Sequence, residues 1–225
     1  MKSEIYRNVT CNQCNEVMEY DVFDSVNVTL NPVLKEKVLN DELFILRCSN
    51  CGKIFYLSYP FTYNDMDVRY IIRYTNNENI EKQKIEFQTF VTTINNELSS
   101  NFEDFKYKYR FVNEYERVRE KVRIFDRDLD DRIIELYKYE FIVNGYDKEL
   151  SNLDDVIFVN VDGSSECVFI LFEKDVIDNV RAISFDEMEY MRLEKEYEGV
   201  LDKFNNYEID LLWAQKVYNS VNINS

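Results

Sequence analysis

Four cysteines stand in two Cys-x-x-Cys pairs, Cys11-Asn-Gln-Cys14 and Cys48-Ser-Asn-Cys51, separated by 33 residues. A two-residue gap lets both sulfurs of a pair reach one ion from a single tight turn. Four soft ligands at this spacing therefore suit a tetrahedral zinc site. The chain has no histidine, so the expected ligand set is all thiolate: Cys11, Cys14, Cys48 and Cys51. A closed four-thiolate site leaves no coordination position for water or substrate, which makes the expected role of Zn2+ structural. Asn15 follows the first pair and Gly52 the second. Gly and Asn are the residue types that most readily take the positive φ needed to close such a knuckle.

Other chemistries share this pattern. A catalytic dithiol sits between a strand and a helix, whereas Ile54 to Tyr59, just after Cys51, read as strand. Iron, alone or in an iron–sulfur cluster, also accepts four cysteines, so zinc versus iron stays open here. Double knuckles are usually separated by about 15–20 residues, so the longer gap implies an insertion between the pairs.

The remaining chemistry-bearing residues are weaker candidates. Cys167 lies in Glu-Cys-Val-Phe-Ile-Leu-Phe, a buried-strand pattern, and without histidine it has no partner for nucleophilic catalysis. Asp126-x-Asp128-x-Asp130-Asp131 resembles the opening of a calcium loop. Asp131 stands where that loop requires Gly and Tyr137 where it requires Glu, so the segment reads as a helix cap. Lys106, Lys108 and Arg110 alternate with aromatics and are followed by Arg117, Arg119, Lys121 and Arg123. That alternation suits a single-stranded nucleic-acid platform. The interleaved Glu114, Glu116 and Glu120 point instead to a solvated strand and helix face. No Gly-rich phosphate loop and no Gly-x-Ser-x-Gly elbow is present.

Positioning these groups needs a folded core, and the composition provides for one. The 225 residues are 45% hydrophobic, with 17 Tyr and 16 Phe but only 4 Gly and 2 Pro. No apolar run reaches membrane-spanning length and the N-terminus carries no hydrophobic signal segment, so a cytoplasmic protein is expected. In a reducing compartment, paired thiols favour metal over disulfide. The formal net charge is −16, and residues 144–225 alone carry 18 acidic against 7 basic side chains. A zinc held by four thiolates adds roughly −2 more. Such a surface disfavours nucleic acid and suits a protein partner with a basic face.

Along the chain, Val17 to Val28 alternates as a strand, and Asn31-Pro32 opens a short helix with Leu34, Val38 and Leu39 on one face. Leu43 to Leu46 and Lys53 to Tyr59 read as the strands around the second pair. Pro60 to Met66 reads as a turn with aromatic packing, and Val68 to Tyr74 as a strand. Ile80 to Leu98 is a helix facing inward through Ile85, Phe87, Val91, Ile94 and Leu98. Phe105 to Val112 is a strand. A helix capped by Asn113 follows, burying Tyr115, Val118, Val122 and Phe125; another runs from Asp131 to about Val143, ending at Asn144-Gly145. Three strands, Val156–Val161, Glu166–Phe172 and Val180–Ser184, come next, the first two joined through Asp162-Gly163. Ser184 and Glu187 form a capping box for a helix to Tyr197. Tyr207 to Tyr218 closes the chain as a helix around Ile209, Leu212, Trp213 and Val217.

The order Cys11-x-x-Cys14, a Pro-containing helix, Leu43-Phe-Ile-Leu-Arg-Cys48-x-x-Cys51-Gly52 and an aromatic Tyr59-Pro60 resembles the bacterial CpXC-motif family of uncharacterised function. Asn113 to Phe125 followed by Leu129-Asp-Asp-Arg-Ile-Ile-Glu135 matches its mid-chain signature, so the resemblance spans residues 5–143. The family takes its name from a Pro after the first Cys of each motif; Asn12 and Ser49 stand there in this chain, while all four thiols remain. The resemblance implies a zinc-binding cysteine domain without established activity and supplies no catalytic residue.

The expected fold is α+β, with three parts: a four-cysteine zinc-ribbon-like domain over 1–75, a mostly helical region over 76–143 packed on it, and an acidic α/β subdomain over 144–225. The expected function is a zinc-stabilised protein-binding or adaptor module. Two other readings stay open: a nucleic-acid-associated zinc ribbon, and an enzyme with its site in the C-terminal part.

Overall fold

The computed structural model describes residues 4–76, 79–99, 107–144, 153–161, 164–173 and 180–222. The chain is α+β and forms two compact units, Met1–Arg119 and Glu120–Ser225.

In the first unit, β1 (Glu4–Thr10) and β2 (Val17–Phe23) form an antiparallel hairpin with Thr10 opposite Val17. Alternation along β2 buries Met18, Tyr20 and Val22. The strand expected to run to Val28 breaks at Asp24, whose carbonyl accepts the Thr62 N–H at 3.0 Å. From there β3 (Ser25–Asn27) pairs in parallel with β6 (Phe61–Asp65). Parallel neighbours need a crossover connection. Here it contains α1 (Val33–Leu39) and a second hairpin, β4 (Ile45–Arg47) with β5 (Ile54–Tyr56). The long gap between the cysteine pairs is thus the length of chain that builds β2, β3, α1 and β4.

The segment Pro60–Met66, expected as a turn, is instead strand β6. Phe61, Tyr63 and Asp65 are buried while Thr62 and Asn64 face the other side. Pro60 stands just before the first strand residue, where its missing N–H breaks no ladder bond. Tyr63 stacks on Tyr70 of β7 (Tyr70–Tyr74) with centroids 5.6 Å apart. A second crossover, α2 (Ile80–Ser99), leads to β8 (Lys108–Val112), which is parallel to β7. The sheet order is β3-β6-β7-β8. α2 buries Phe87 and Val91, and Phe87 meets Phe111 at 5.7 Å. Ile85, expected inward, is 64% exposed, because two residues of helix carry it to the far side from Phe87. The core of this unit is aromatic: Phe44 lies edge-on to Tyr59 (4.9 Å) and Tyr115 (4.3 Å), with Phe61 and Tyr74 against it.

Helix α3 (Tyr115–Asp126) carries the boundary between the units. The second unit continues with α4 (Asp131–Asn144), then β9 (Leu153–Asn160), β10 (Cys167–Glu173) and β11 (Val180–Ser184) as an antiparallel sheet in the order β11-β10-β9. Phe158, Phe169, Phe185 and Tyr137 form its aromatic centre. The Asp162-Gly163 turn and Gly145 lie outside the described residues. α5 (Glu187–Glu196) is capped by Asp186, whose side chain accepts the Met188 N–H at 2.8 Å. Ser184, the expected cap, is held in the β11 ladder opposite Val168. α6 (Leu211–Asn222) buries Trp213, Ala214 and Val217, whereas Leu212, expected inward, is 68% exposed. Among the described residues no helix is long and apolar enough to cross a membrane.

Candidate metal centre

Each cysteine pair lies in the turn of a hairpin, and the two turns are built alike. In the first, the Cys11 N–H donates to the Glu16 carbonyl at 2.7 Å and the Asn15 N–H to the Cys11 carbonyl at 2.9 Å. In the second, the Cys48 N–H donates to the Lys53 carbonyl at 2.7 Å and the Gly52 N–H to the Cys48 carbonyl at 3.0 Å. The closing residues both have positive φ: 60° at Asn15 and 74° at Gly52. That is the conformation expected from their residue types, and it turns the chain so that both sulfurs of a pair face inward.

The four sulfurs converge. Cys11 Sγ lies 3.6 Å from Cys51 Sγ and Cys14 Sγ 3.5 Å from Cys48 Sγ, and all four fall within 4.8 Å of one another. A tetrahedron with metal–sulfur bonds of about 2.3 Å has edges of roughly 3.8 Å, so a thiophilic ion fits this set. Cys11, Met18 and Cys48 are buried together, with Val9, Cys14, Leu46 and Phe55 packed against them. These residues form a thin shell, and sulfur occupies its middle where another fold would place Leu or Phe.

The sulfurs resist ionising together. Burial pushes the Cys11 thiol up, but the N–H groups of Gln13 and Cys14 and the neighbouring sulfurs outweigh it and bring it down to about 6. At Cys48 the N–H of Cys51, aided by that of Asn50 and by neighbouring thiols, wins over burial and lowers it. At Cys51 the Lys53 N–H favours the thiolate, but desolvation and the other three sulfurs push it up to about 12. A divalent cation removes that conflict by compensating the accumulated charge.

The structure thus brings together all four cysteines singled out by spacing. Cys167 is elsewhere, buried on β10 in the second unit. Its Sγ is 3.5 Å from Asn160 Oδ1, and burial pushes its thiol up. The Asp126–Asp131 segment caps a helix: Asp130 accepts the Arg132 N–H at 2.9 Å and grips its guanidinium at 2.6 to 3.1 Å. The cysteine group is the one metal-capable cluster among the described residues.

The basic segment is solvated only in part: Lys108 is exposed, Arg117, Arg119 and Arg123 are half-buried, and Lys106 lies outside the described residues. Tyr109, Arg110 and Phe111 are buried, as are Glu120 and Lys121. Lys121 Nζ reaches Asp131 (3.0 Å), Glu135 (3.1 Å) and the Ile209 carbonyl (2.9 Å). Lys138 Nζ reaches both oxygens of Glu120 (3.0 and 3.1 Å) and Glu135 (3.0 Å). Glu120 also accepts the Phe158 N–H at 2.7 Å. Both lysines thus have their donors engaged inside the protein. The sequence does contain a signal for this network: Lys121 interrupts the Val118–Val122–Phe125 stripe, and Glu135 and Lys138 sit three apart within an apolar run.

A sequence profile of the CpXC protein family matches residues 9–138, from just before the first knuckle to the Lys138 end of the buried network. The chain belongs to the CpXC family. No curated protein and no solved structure matches it. The CpXC match covers both cysteine pairs and ends before the β9–β11 sheet. At Asn12, where the family name denotes proline, this CpXC protein gains a contact: Lys53 Nζ donates to Asn12 Oδ1 at 2.6 Å, joining the two knuckles.

Proposed function

We propose that this CpXC protein is a cytoplasmic protein-binding module whose zinc ribbon is stabilised by Zn2+ on Cys11, Cys14, Cys48 and Cys51. The observation that carries this reading is the outer face of the β4–β5 hairpin. Ile45 pairs with Tyr56 and Arg47 with Ile54, and on this face Tyr56 is 78% exposed beside the exposed Ile45 and Ile54. The alternate residues Leu46 and Phe55 turn toward the sulfurs. A two-stranded hairpin with so little apolar backing depends on its turn for order, so metal binding free energy becomes folding free energy. The partner that fits is a protein with an apolar patch rimmed by basic residues, matching the net charge of −16. Burial of Tyr109, Arg110 and Phe111 supports a protein partner over nucleic acid, because it removes part of the platform a single strand would need.

The first test is elemental analysis of the purified protein with a count of reactive thiols. One zinc per chain, lost in Cys11→Ser and Cys51→Ser together with the order of the knuckle hairpins, is expected. Unchanged metal content and thermal stability in either variant would sink the structural-zinc reading. For the partner, Tyr56→Ser should release a bound protein that Met188→Ser, another exposed site, retains. Equal retention by both variants removes the hairpin as the docking face.

A further inference from the structure

A cleft of about 480 Å³ opens between the four-stranded sheet and α2, inside the first unit and apart from the cysteines. The register explains its lining. Thr62 of β6 lies opposite Arg73 of β7, and Asn64 opposite Ile71, so these four side chains share one face. α2 covers the β8 side of that face through Phe87 against Phe111 and Asn95 bonded to Tyr109 at 3.0 Å. The β6 side stays open, lined by Thr62, Asn64, Arg73, Gln83, Phe87 and Phe90.

Two polar groups there are under-used. The Arg73 guanidinium is half-buried and has only neutral partners, Thr62 Oγ1 at 3.1 Å and Gln83 Oε1 at 3.5 Å. No described carboxylate stands within 4.0 Å of it. Asn64 Oδ1 is buried and accepts no hydrogen bond. Half-buried arginines are ordinarily matched by an anion, and buried amide oxygens by a donor. Phe87 and the partly exposed Phe90 stack at 6.3 Å and supply an apolar wall. Glu86 also lines the cleft and acts on Arg73 at a distance, but its close partner is Lys82, at 3.7 Å.

We infer that this cleft binds a small organic monoanion, its carboxylate on Arg73, a donor group on Asn64 and its apolar body against Phe87 and Phe90. The volume lies in the range of small-ligand sites. A single charge is favoured over a polyphosphate because the protein as a whole is strongly acidic. Burial lowers the Arg73 pKa more than Glu86 and Asp24 raise it, consistent with a cation that gains from an added anion. This site is independent of the metal and of the hairpin face.

The test uses the full chain with its metal and two probes of one shape, phenylacetate and the neutral phenylacetamide, followed by amide chemical shifts. Saturable binding of phenylacetate at millimolar concentration is expected, with shifts centred on Arg73, Phe87 and Phe90. Phenylacetamide, which has an N–H for Asn64 but no charge for Arg73, should still bind about tenfold more weakly, because the charge-assisted contact is the stronger of the two. Arg73→Gln should lower phenylacetate binding by a similar factor and leave phenylacetamide unchanged. The two-probe comparison needs no variant, so it stands even if Arg73→Gln folds poorly. Absence of saturable binding, equal affinity for both probes, or shifts elsewhere overturns the inference.

Discussion

Lys53 Nζ reaches across from the second knuckle to Asn12 Oδ1 in the first, at 2.6 Å, and stands 5.6 Å from the Phe55 ring centroid. The contact joins two hairpins that share no backbone pairing. Its partner Asn12 is exposed, so its worth is modest. Asn12→Ala should lower thermal stability by less than about 1 kcal/mol and keep the metal stoichiometry, while metal transfer to a competing chelator becomes faster. Metal loss at purification would give the contact a larger role than exposure allows.

To the extent that the knuckle hairpins keep their order without metal, their thiols set a pH dependence of stability. Cys11, at about 6 when folded against an ordinary 9.0, releases its proton on folding between those values. Its contribution is complete above pH 9 and is lost as pH falls through 6. Cys51, raised to about 12, acts in the opposite sense: its contribution is complete below pH 9 and fades as pH rises toward 12. Comparing metal-free wild type with metal-free Cys11→Ser over pH 6 to 9 reads chiefly the Cys11 thiol, since Cys51, whose shift depends in part on the Cys11 sulfur, titrates above that window in the wild type. The gap in melting temperature should widen from pH 6 to 9; a flat gap contradicts the Cys11 assignment.

The Lys138 ammonium lies between Glu120 and Glu135, all three fully buried. Lys138→Met leaves two carboxylates inside the second unit with their shared cation gone. The expected cost is about 3–5 kcal/mol by urea denaturation, and adding Glu120→Gln should recover part of it. A single-variant loss below about 1 kcal/mol would mean that the site opens to water.

At the start of α5 the two cap candidates can be separated. Asp186→Ala removes the acceptor of the Met188 N–H and should cost about 0.5–2 kcal/mol. Ser184→Ala should change stability by no more than about 0.5 kcal/mol, as at sites away from a cap or core. The reverse order would restore Ser184 as the cap.

The positions of Cys11, Cys14, Cys48 and Cys51, the positive φ at Asn15 and Gly52, and the α+β character were legible in the sequence. Each rests on local chemistry: a two-residue gap, a residue type that tolerates left-handed backbone, and an apolar period. Helix α4 was legible for the same reason, with Asp130 ready to bond the Arg132 N–H at its start. Strand β6 was not, because Pro60 and Asn64-Asp65 are turn-formers locally. Asn64 and Asp65 became strand, with Pro60 just ahead of it, only because β3 and β7 flank β6 on either side.

The same division governs the charged residues. Nothing local distinguishes Lys121 from a solvated lysine until α4 brings Asp131 and Glu135 to it and the carbonyl of Ile209 completes its donors. Arg73 likewise reads as an ordinary strand arginine until α2 covers one side of the sheet and leaves it facing a cleft. Local sequence determined where a metal-binding turn can form and which residue types close it. Tertiary structure alone decided which charges are buried and which polar atoms lack partners, since burial depends on segments far apart in the chain arriving at one place.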